Sequence, residues 1–336
     1  MAGKTRIAVA GAGYIGRAHI AALRASPTCE LSAIVDPSPA ADADFSSIDE
    51  LLEKDRPDGL VLATPNHLHV PQALQCIGAR LPILLEKPIA TTVPDAEKVV
   101  KAAGTVLVGH HRAHSPIMEK AREVVESGVL GRLVAVMGSA VFYKPDGYFD
   151  QAPWRREAGG GPILLNMIHE VHNLRMLCGE IAAVQAIASH AVRGFPVEDT
   201  VSINLQFASG ALGSFLLSDT AACARSWEQT SRENKAYPSY ADEDCYVIAG
   251  TDGSLSVPTM RLKTYARPEE RSWWKPFKVG QAEMQRADPI ARQMEHFGAV
   301  VRGEAKPRVS ARDGLANLIV TEAITRAART GATVRL

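Results

Sequence analysis

Thr5-Arg6-Ile7-Ala8-Val9-Ala10-Gly11-Ala12-Gly13-Tyr14-Ile15-Gly16 is the stretch on which the fold turns. Its first six residues read as a buried strand. Arg17 to Ser26 reads as a helix that stops before Pro27. A lone G-x-G-x-x-G is weak evidence, but one set between a strand and a helix reads as a dinucleotide-binding turn. Gly11 permits the tight turn, Gly13 lets the backbone approach a pyrophosphate, and Gly16 lets helix and strand pack closely. The helix start then presents free N–H groups and a positive dipole end to the phosphates. Gly11, Gly13, Tyr14, Ile15 and Gly16 are therefore cofactor-binding candidates.

A second strand, Leu31 to Val35, ends at Asp36, twenty positions beyond Gly16. A carboxylate there accepts hydrogen bonds from the adenosine ribose hydroxyls. A 2′-phosphate would meet like charge, and no Arg or Lys follows in Pro37-Ser38-Pro39-Ala40. The expected cofactor is NAD in preference to NADP.

The alternation continues outward. Ser47 and Glu50 suggest a capping box before Leu51-Leu52. Gly59 to Ala63 is a third strand, ending at Thr64-Pro65-Asn66-His67, and a helix runs from about Val70 to Ala79. Thr64, Pro65, Asn66 and, just beyond them, His69 join the cofactor-binding candidates. Pro82-Ile83-Leu84-Leu85-Glu86-Lys87-Pro88 is a strand buried on both faces that ends in a carboxylate, an ammonium and a proline. A helix from about Pro94 to Ala103 and a strand at Thr105 to Gly109 follow, then His110-His111-Arg112. Strands and helices at this spacing imply a doubly wound parallel sheet. Ligands of such sheets sit outside the carboxyl ends of the strands. Asp36, Thr64, Glu86, Lys87 and His111 all fall there. His110, His111 and His114 are not read as a metal site, because no Cys or carboxylate lies nearby at ligand spacing.

Composition narrows the classes. The 336 residues allow two domains, and 37 basic residues balance 37 acidic ones. Neutrality gives no electrostatic case for nucleic acid or an anionic membrane. No apolar run reaches the ~18 residues of a membrane span, and the N-terminus has no signal-peptide core. Five scattered cysteines with no C-x-x-C pair suggest free thiols in a reducing cytoplasm.

Ser115-Pro116 starts a helix running to Glu126, and the dinucleotide-binding domain is expected over 1–125. Periodicity changes in 126–336. Leu133 to Phe142 is extended. An aromatic loop with Tyr148, then Trp154-Arg155 and Gly159-Gly160-Gly161, precedes a helix from about Pro162 to Leu177. On that helix Leu164, Met167, Ile168, Val171 and Leu174 form one face. Asn166, His169, Glu170, His172 and Asn173 lie opposite, a choice poorly suited to mere solubility. Extended segments at Ile181 to His190, Thr200 to Phe207, Ala211 to Leu217, Asp244 to Ala249, Ser254 to Val257 and Arg261 to Tyr265 imply an open, largely antiparallel sheet. Helices at about Ile290 to Arg302 and Arg312 to Arg329 are expected to cover part of it. The other face is a candidate oligomer interface. The Ser226–Ser239 segment and the Trp273-Trp274 loop are candidate lids.

These motifs together resemble the Gfo/Idh/MocA family of nicotinamide-dependent oxidoreductases over essentially the whole chain. The resemblance rests on the Gly11–Gly16 turn, Thr64-Pro65-Asn66-His67, Glu86-Lys87-Pro88, Val108-Gly109-His110-His111-Arg112, Trp154-Arg155 with the three glycines, and the Asn166 to Gly179 helix. It implies a Rossmann domain followed by an α+β domain whose open sheet pairs copies into a homodimer or homotetramer. It implies that Lys87 and His169 flank the reacting carbon, with nicotinamide near Glu86, Lys87 and Pro88, and that the Lys87–Pro88 peptide is cis. Trp154 and Arg155 are assigned to the cofactor. Asn166, His172, His111, Arg155 and Tyr148 are assigned to substrate. The chain departs from the family where an aspartate often precedes the catalytic histidine, since Leu165 and Asn166 stand there. It also departs at His172 in place of an acid, at His111 in place of asparagine, and at Ala113 in place of arginine.

The reaction so implied is NAD-dependent oxidation of a secondary alcohol of a sugar, polyol or inositol-like ring, with hydride passing to C4 of the nicotinamide. His169 takes the hydroxyl proton, and a partly desolvated Lys87 polarises the oxygen or shares that proton. Two alternatives stand beside it. One is dehydrogenation of a ring diol or hydroxy acid from aromatic catabolism. The other is a non-catalytic NAD-sensing regulator, since fold alone does not imply activity.

Overall fold

A computed structural model describes residues 3–38 and 41–336. Met1, Ala2 and the Pro39-Ala40 pair read above lie outside the described residues. The chain divides into two compact units: up to His114 together with Asp288–Leu318, and Ser115–Ala287 together with Ile319–Leu336.

In the first unit the strands are β1 (Thr5–Ala10), β2 (Cys29–Val35), β3 (Gly59–Leu62), β4 (Ile83–Leu85) and β5 (Val106–Val108). They form one sheet in the order β2-β1-β3-β4-β5, every pair parallel. Leu60, Val61, Leu62, Ile83, Leu84 and Leu85 have no exposed surface, as expected of strands covered on both faces. The helices between them are α1 (Tyr14–Ala25), α2 (Ile48–Lys54), α3 (His69–Gly78) and α4 (Val93–Lys101). Half of the expected capping box forms: Ser47 Oγ accepts the Glu50 N–H, while the Glu50 carboxylate accepts the N–H of Ser46.

The second unit opens with α5 (Pro116–Glu126), capped by Ser115. It continues through β6 (Leu133–Val141), α6 (Asp146–Asp150), α7 (Ile168–Cys178), β7 (Ile181–Ser189), β8 (Thr200–Phe207), β9 (Leu212–Ser218) and α8 (Trp227–Thr230). Then come β10 (Tyr246–Gly250), β11 (Gly253–Val257), β12 (Arg261–Thr264) and β13 (Lys278–Gln281). After α9 (Pro289–Val301) and α10 (Ala311–Thr330), β14 (Val334–Arg335) returns to the same sheet. The nine strands run β13-β12-β11-β10-β6-β9-β8-β7-β14, antiparallel except for the β6–β9 pair. One face carries a core of Ile203, Phe207, Phe215, Trp227, Tyr246 and Ile248 with the apolar sides of α5, α7 and the later turns of α10.

Two placements differ from the sequence reading. The break falls at His114, eleven residues before the expected 125, because Ile117, Met118, Ala121 and Val124 of α5 belong to the second core. And α9, expected to cover the antiparallel sheet, packs in the first unit. Its Phe297 and Val301 sit where a Gly59 side chain would be, and its Gly298 admits the Cys29 thiol. Just beyond it, the Val108 N–H donates to Val309 O at 2.8 Å, tying the returning chain to β5. Amphipathicity announces that a helix has a buried face but not which sheet receives it.

Candidate active site

All five parallel strands end on one edge of the first sheet, so chain order becomes spatial order. Across it lie Asp36 after β2, the Gly11–Gly13 turn after β1, Thr64-Pro65 after β3, Lys87 after β4 and His111 after β5. With strands ~4.8 Å apart, Asp36 and Lys87 are about 15 Å apart along that edge.

The turn fits a dinucleotide. Gly11 has φ of 93°, a left-handed conformation. A Cβ at Gly16 would lie 1.8 Å from Gly11 O, so only glycine lets the helix start so close to the strand end. A Cβ at Gly13 would meet nothing within 4 Å, so that side of the turn is open. Gly13 is the N-cap of α1 and makes no side-chain cap bond. Tyr14 beside it is 75% exposed. The Asp36 carboxylate is held by two backbone donors, Ala12 N–H at 2.8 Å and Ser38 N–H at 2.9 Å, one on each oxygen. Each oxygen keeps a lone pair for a ribose hydroxyl.

Under this edge sits a buried polar brace. His69, expected among the cofactor contacts, is 1% exposed. Its Nδ1 lies 2.7 Å from Pro88 O and its Nε2 lies 2.9 Å from Thr64 O. Burial lowers its pKa, with the two carbonyls pulling the other way. A neutral ring has one N–H, so it donates to only one of these two carbonyls while it packs between the chain after β3 and the chain after β4. Glu86 likewise faces inward. Its Oε1 meets His19 Nε2 at 2.8 Å, its Oε2 accepts the Lys87 N–H at 3.1 Å, and Gly109 leaves it room. Burial pushes this carboxyl up, but the His19 bond and the charges of His19, Lys87 and His111 outweigh burial, leaving it below the ordinary 4.5. The Lys87–Pro88 peptide is cis, and Lys87 is half-buried above this brace.

A group with a depressed folded-state pKa stabilises the fold above its unfolded value and loses that contribution as pH falls through the folded one. Glu86→Gln should therefore lower stability by about 1–3 kcal/mol at neutral pH. The gap from the parent should narrow as pH drops below 4.5. Urea denaturation across the acid range checks this, and a pH-independent gap would count against the ionised brace.

The second unit gathers its own cluster. Ile163–Met167 is a π-helical turn leading into α7. It offsets the 100° register on which the faces were drawn, and Asn166 lies within it. What was drawn as the polar side is not solvated: His169, Glu170, His172 and Asn173 are 9%, 2%, 7% and 0% exposed. Glu170 and Asn173 are structural, since Tyr246 Oη donates to Glu170 and accepts from Asn173 Nδ2 at 2.9 Å. Glu198, also absent from the sequence reading, accepts the Ile163 N–H at 2.9 Å and occupies the space a Gly161 side chain would need. Gly160 and Gly161 thus make room for protein atoms, the Trp154–Arg155 backbone at Gly160 and the Glu198 carboxylate at Gly161.

Sequence reasoning also missed Lys144. It is 8% exposed, donates to Asn166 Oδ1 at 2.8 Å and lies 3.2 Å from Asp219 Oδ2. Arg193 holds the other Asp219 oxygen at 3.2 Å and donates to Lys144 O at 2.7 Å. Burial lowers the Lys144 pKa, Asp219 resists, and Arg193 and Arg155 add to the lowering. The Arg155 guanidinium lies 3.8 Å from the Tyr148 ring centre and donates to Tyr148 O at 2.6 Å. Trp154 is 49% exposed beside it. Asn166, Tyr148, Arg155 and Lys144 are therefore one neighbourhood, whereas Glu86 and His69 face inward from the first unit's edge. The only signal for Lys144 was its place in an aromatic loop, because its partner Asp219 is 75 residues away. Among the candidate lids, Trp227 is 1% exposed and donates through Nε1 to Glu233 at 3.0 Å, so that segment is anchored at its start. Trp273 and Trp274 are 88% and 83% exposed.

A dinucleotide-binding Rossmann unit joined to an open, mostly antiparallel sheet defines a class of two-unit oxidoreductases. Residues 5–108 match the profile described as oxidoreductase family, NAD-binding Rossmann fold, and residues 118–256 match the GFO/IDH/MocA C-terminal domain. The chain belongs to the GFO/IDH/MocA family and is an oxidoreductase. It is 26% identical to the rhizopine catabolism protein MocA of Rhizobium meliloti, over 95% of this chain and 94% of that protein. It is 28% identical to 1,5-anhydro-D-fructose reductase of Ensifer adhaerens, over 85% of this chain and 82% of that one. Among solved structures, the WlbA dehydrogenase of Bordetella pertussis in complex with NADH and UDP-GlcNAcA superposes with a TM-score of 0.78 at 26% identity, covering 99% of both chains. No helix among the described residues is long and apolar enough to cross a membrane.

Proposed function

We propose that this protein is an NAD-dependent dehydrogenase acting on a secondary alcohol of a sugar, polyol or inositol-like ring. The observation that carries the reading is the first sheet's edge, where Asp36, the Gly11–Gly16 turn and a half-buried Lys87 follow one another in strand order. Sugar-derived names among the relatives, such as anhydrofructose reductase and a WlbA dehydrogenase solved with UDP-GlcNAcA, support the substrate class. When bound, the nicotinamide supplies a hydride acceptor at C4.

The chain's own groups do the rest. His169 accepts the hydroxyl proton, and Lys87 polarises the substrate oxygen or shares that proton. Asn166, held by Lys144, orients substrate hydroxyls together with His172, His111, Tyr148 and Arg155. Trp154 and Arg155 serve the cofactor. The test is absorbance of NADH formed from NAD⁺ across a panel of sugars, polyols, inositols and hydroxy acids. Turnover confined to hydroxy acids or ring diols would move the substrate to the aromatic-catabolism class.

Asp36 sets the choice of NAD over NADP in this reading. Asp36→Ser should shift the ratio of NADP⁺ to NAD⁺ affinity by about 10- to 100-fold toward NADP⁺, the worth of hydrogen bonds to a charged group. Fluorescence titration with both cofactors measures it, and an unchanged ratio would remove Asp36 from that role.

A second copy of the chain is the partner we infer for the open sheet. Register places Met137, Leu212, Leu216, Ile187 and Val247 on its outward face among Ser139, Ser202, Asn204 and Ser214. Met137, Leu212, Leu216 and Ile187 are 55%, 60%, 46% and 76% exposed. A solvated face is normally rich in Lys and Glu, and these positions carry no charge. Met137→Lys combined with Leu216→Lys should reduce the mass in light scattering to that of one chain. An unchanged oligomer would place the interface elsewhere.

A further inference from the structure

Lys144 is a buried cation that its own carboxylate does not require. Asp219 is 2% exposed, and Arg193 already holds it: Nε lies 3.2 Å from Oδ1, and a second guanidinium nitrogen donates to Asp219 O at 2.7 Å. Arg193 also reaches the exposed Asp146 at 3.4 Å. Lys144 takes the other Asp219 oxygen at 3.2 Å. Burial works against the charge of Lys144, so an ammonium kept here costs stability unless a further bond offsets it.

That further bond goes to Asn166. The Lys144 backbone is held on both sides, its N–H donating to Asp219 O at 2.8 Å and its C=O accepting from Arg193 at 2.7 Å. From this fixed base Nζ donates to Asn166 Oδ1 at 2.8 Å, with the Tyr148 and Phe142 ring centres 5.0 and 5.7 Å away. An ammonium has donors and no acceptor, so the atom it meets is the amide oxygen. The amide is therefore held in one orientation. Its Nδ2, with two N–H groups, has no hydrogen-bond partner among the described residues, and the side chain is only half-buried. Asn166 stands three residues before His169, a spacing that makes neighbours on a helical surface.

We propose that Asn166 is a specificity-determining residue and Lys144 the positioning residue behind it: with its oxygen taken by Lys144, the amide meets substrate only as a donor, accepts an oxygen at that place and refuses an ammonium. The substrate class is then a neutral sugar or polyol and not an amino sugar. The inference rests on the reading above that Asn166 lines the substrate site. A hydroxyl suits the fixed donor because its oxygen has lone pairs, whereas a protonated amine has none. Asparagine alone does not impose this, since a free amide can present either end.

The probes are D-glucose and its 2-amino-2-deoxy, 3-amino-3-deoxy and 6-amino-6-deoxy analogues, which carry an ammonium in place of a hydroxyl at different positions. Each is titrated by calorimetry into the full chain saturated with NADH, and each is assayed for turnover with NAD⁺. Glucose should bind about 10- to 100-fold more tightly than at least one amine. In Lys144→Met that ratio should fall towards one while NAD⁺ affinity stays as it was. In Asn166→Asp, whose carboxylate the neighbouring Lys144 keeps ionised, the ratio should reverse. A merely structural role would weaken all four probes alike and leave the ratio in place. Equal affinities in the parent, or a ratio untouched by both variants, would overturn the inference. In the ligand-free chain Lys144→Met should also move the Asn166 side-chain amide signals in ¹H–¹⁵N spectra, and unmoved signals would overturn the role of Lys144 whatever the substrate. Binding without NADH formation from any probe would count against the dehydrogenase reading instead, and no binding of any probe would overturn the sugar class.

Discussion

Lys87→Met should lower turnover by about 10²- to 10⁴-fold, the usual contribution of a positioned acid–base group, while the NAD⁺ dissociation constant moves only a few-fold. The argument starts from where the ammonium sits. β4 is wholly buried and ends at Leu85, so the chain must leave the sheet at Glu86-Lys87. Glu86 turns inward to His19, and the His69 ring grips Pro88 O, so the backbone on either side of Lys87 is held while its side chain stays half-exposed. Methionine keeps the length and apolar stem and removes only the charged donor. His169→Ala is expected to show the same separation of turnover from cofactor affinity. Steady-state kinetics with equilibrium titration of NAD⁺ decides it. Parallel losses of turnover and affinity would make Lys87 a cofactor-binding or structural residue, and retained turnover would remove it from the chemistry.

Gly16→Ala should be as damaging, by a different route. The added Cβ would stand 1.8 Å from Gly11 O and 2.9 Å from Gly11 C, both backbone atoms of the turn itself. No side-chain rotation relieves that contact, so α1 must move away from the end of β1. Overpacking of this kind costs about 1–3 kcal/mol, and more where backbone has to shift. The same shift withdraws the helix N-terminus from the phosphates, so NAD⁺ affinity should fall together with thermal stability. Gly13→Ala is the internal control. Its Cβ meets no protein atom within 4 Å, so it should leave stability nearly intact and cost cofactor affinity alone if the turn holds the pyrophosphate. Thermal unfolding of both variants with and without NAD⁺ separates the effects. Equal stability of Gly16→Ala and the parent would contradict the close approach.

Much of the first unit was legible because its signals are local. A strand, a glycine turn and a helix occupy adjacent residues, and parallel β-α-β connections convert their order in sequence into order along an edge. Asp36, Lys87 and His111 reach that edge for this reason alone. The α7 region was legible in composition but not in geometry, because the π-helical turn at Ile163–Met167 changes the register and period analysis assumes a uniform helix. His69 and Glu86 show another limit. Sequence placed them at the strand ends, but which way each side chain turns depends on partners such as His19 and Pro88 that only packing supplies.

The sequence by itself determined the Rossmann topology, the dinucleotide turn and the identity of the polar groups at the strand ends, because hydrophobic period, glycine spacing and short connections act between near neighbours. Tertiary structure alone decided that α9 packs in the first unit, that Lys144 is drawn inward by Asp219 and Asn166, and that His114 is sealed beside two arginines. Those outcomes join residues from tens of positions apart to the 269 that separate Gly298 from Cys29. Burial there sets both the charge and the orientation of each group, and no local pattern encodes which distant partner will arrive.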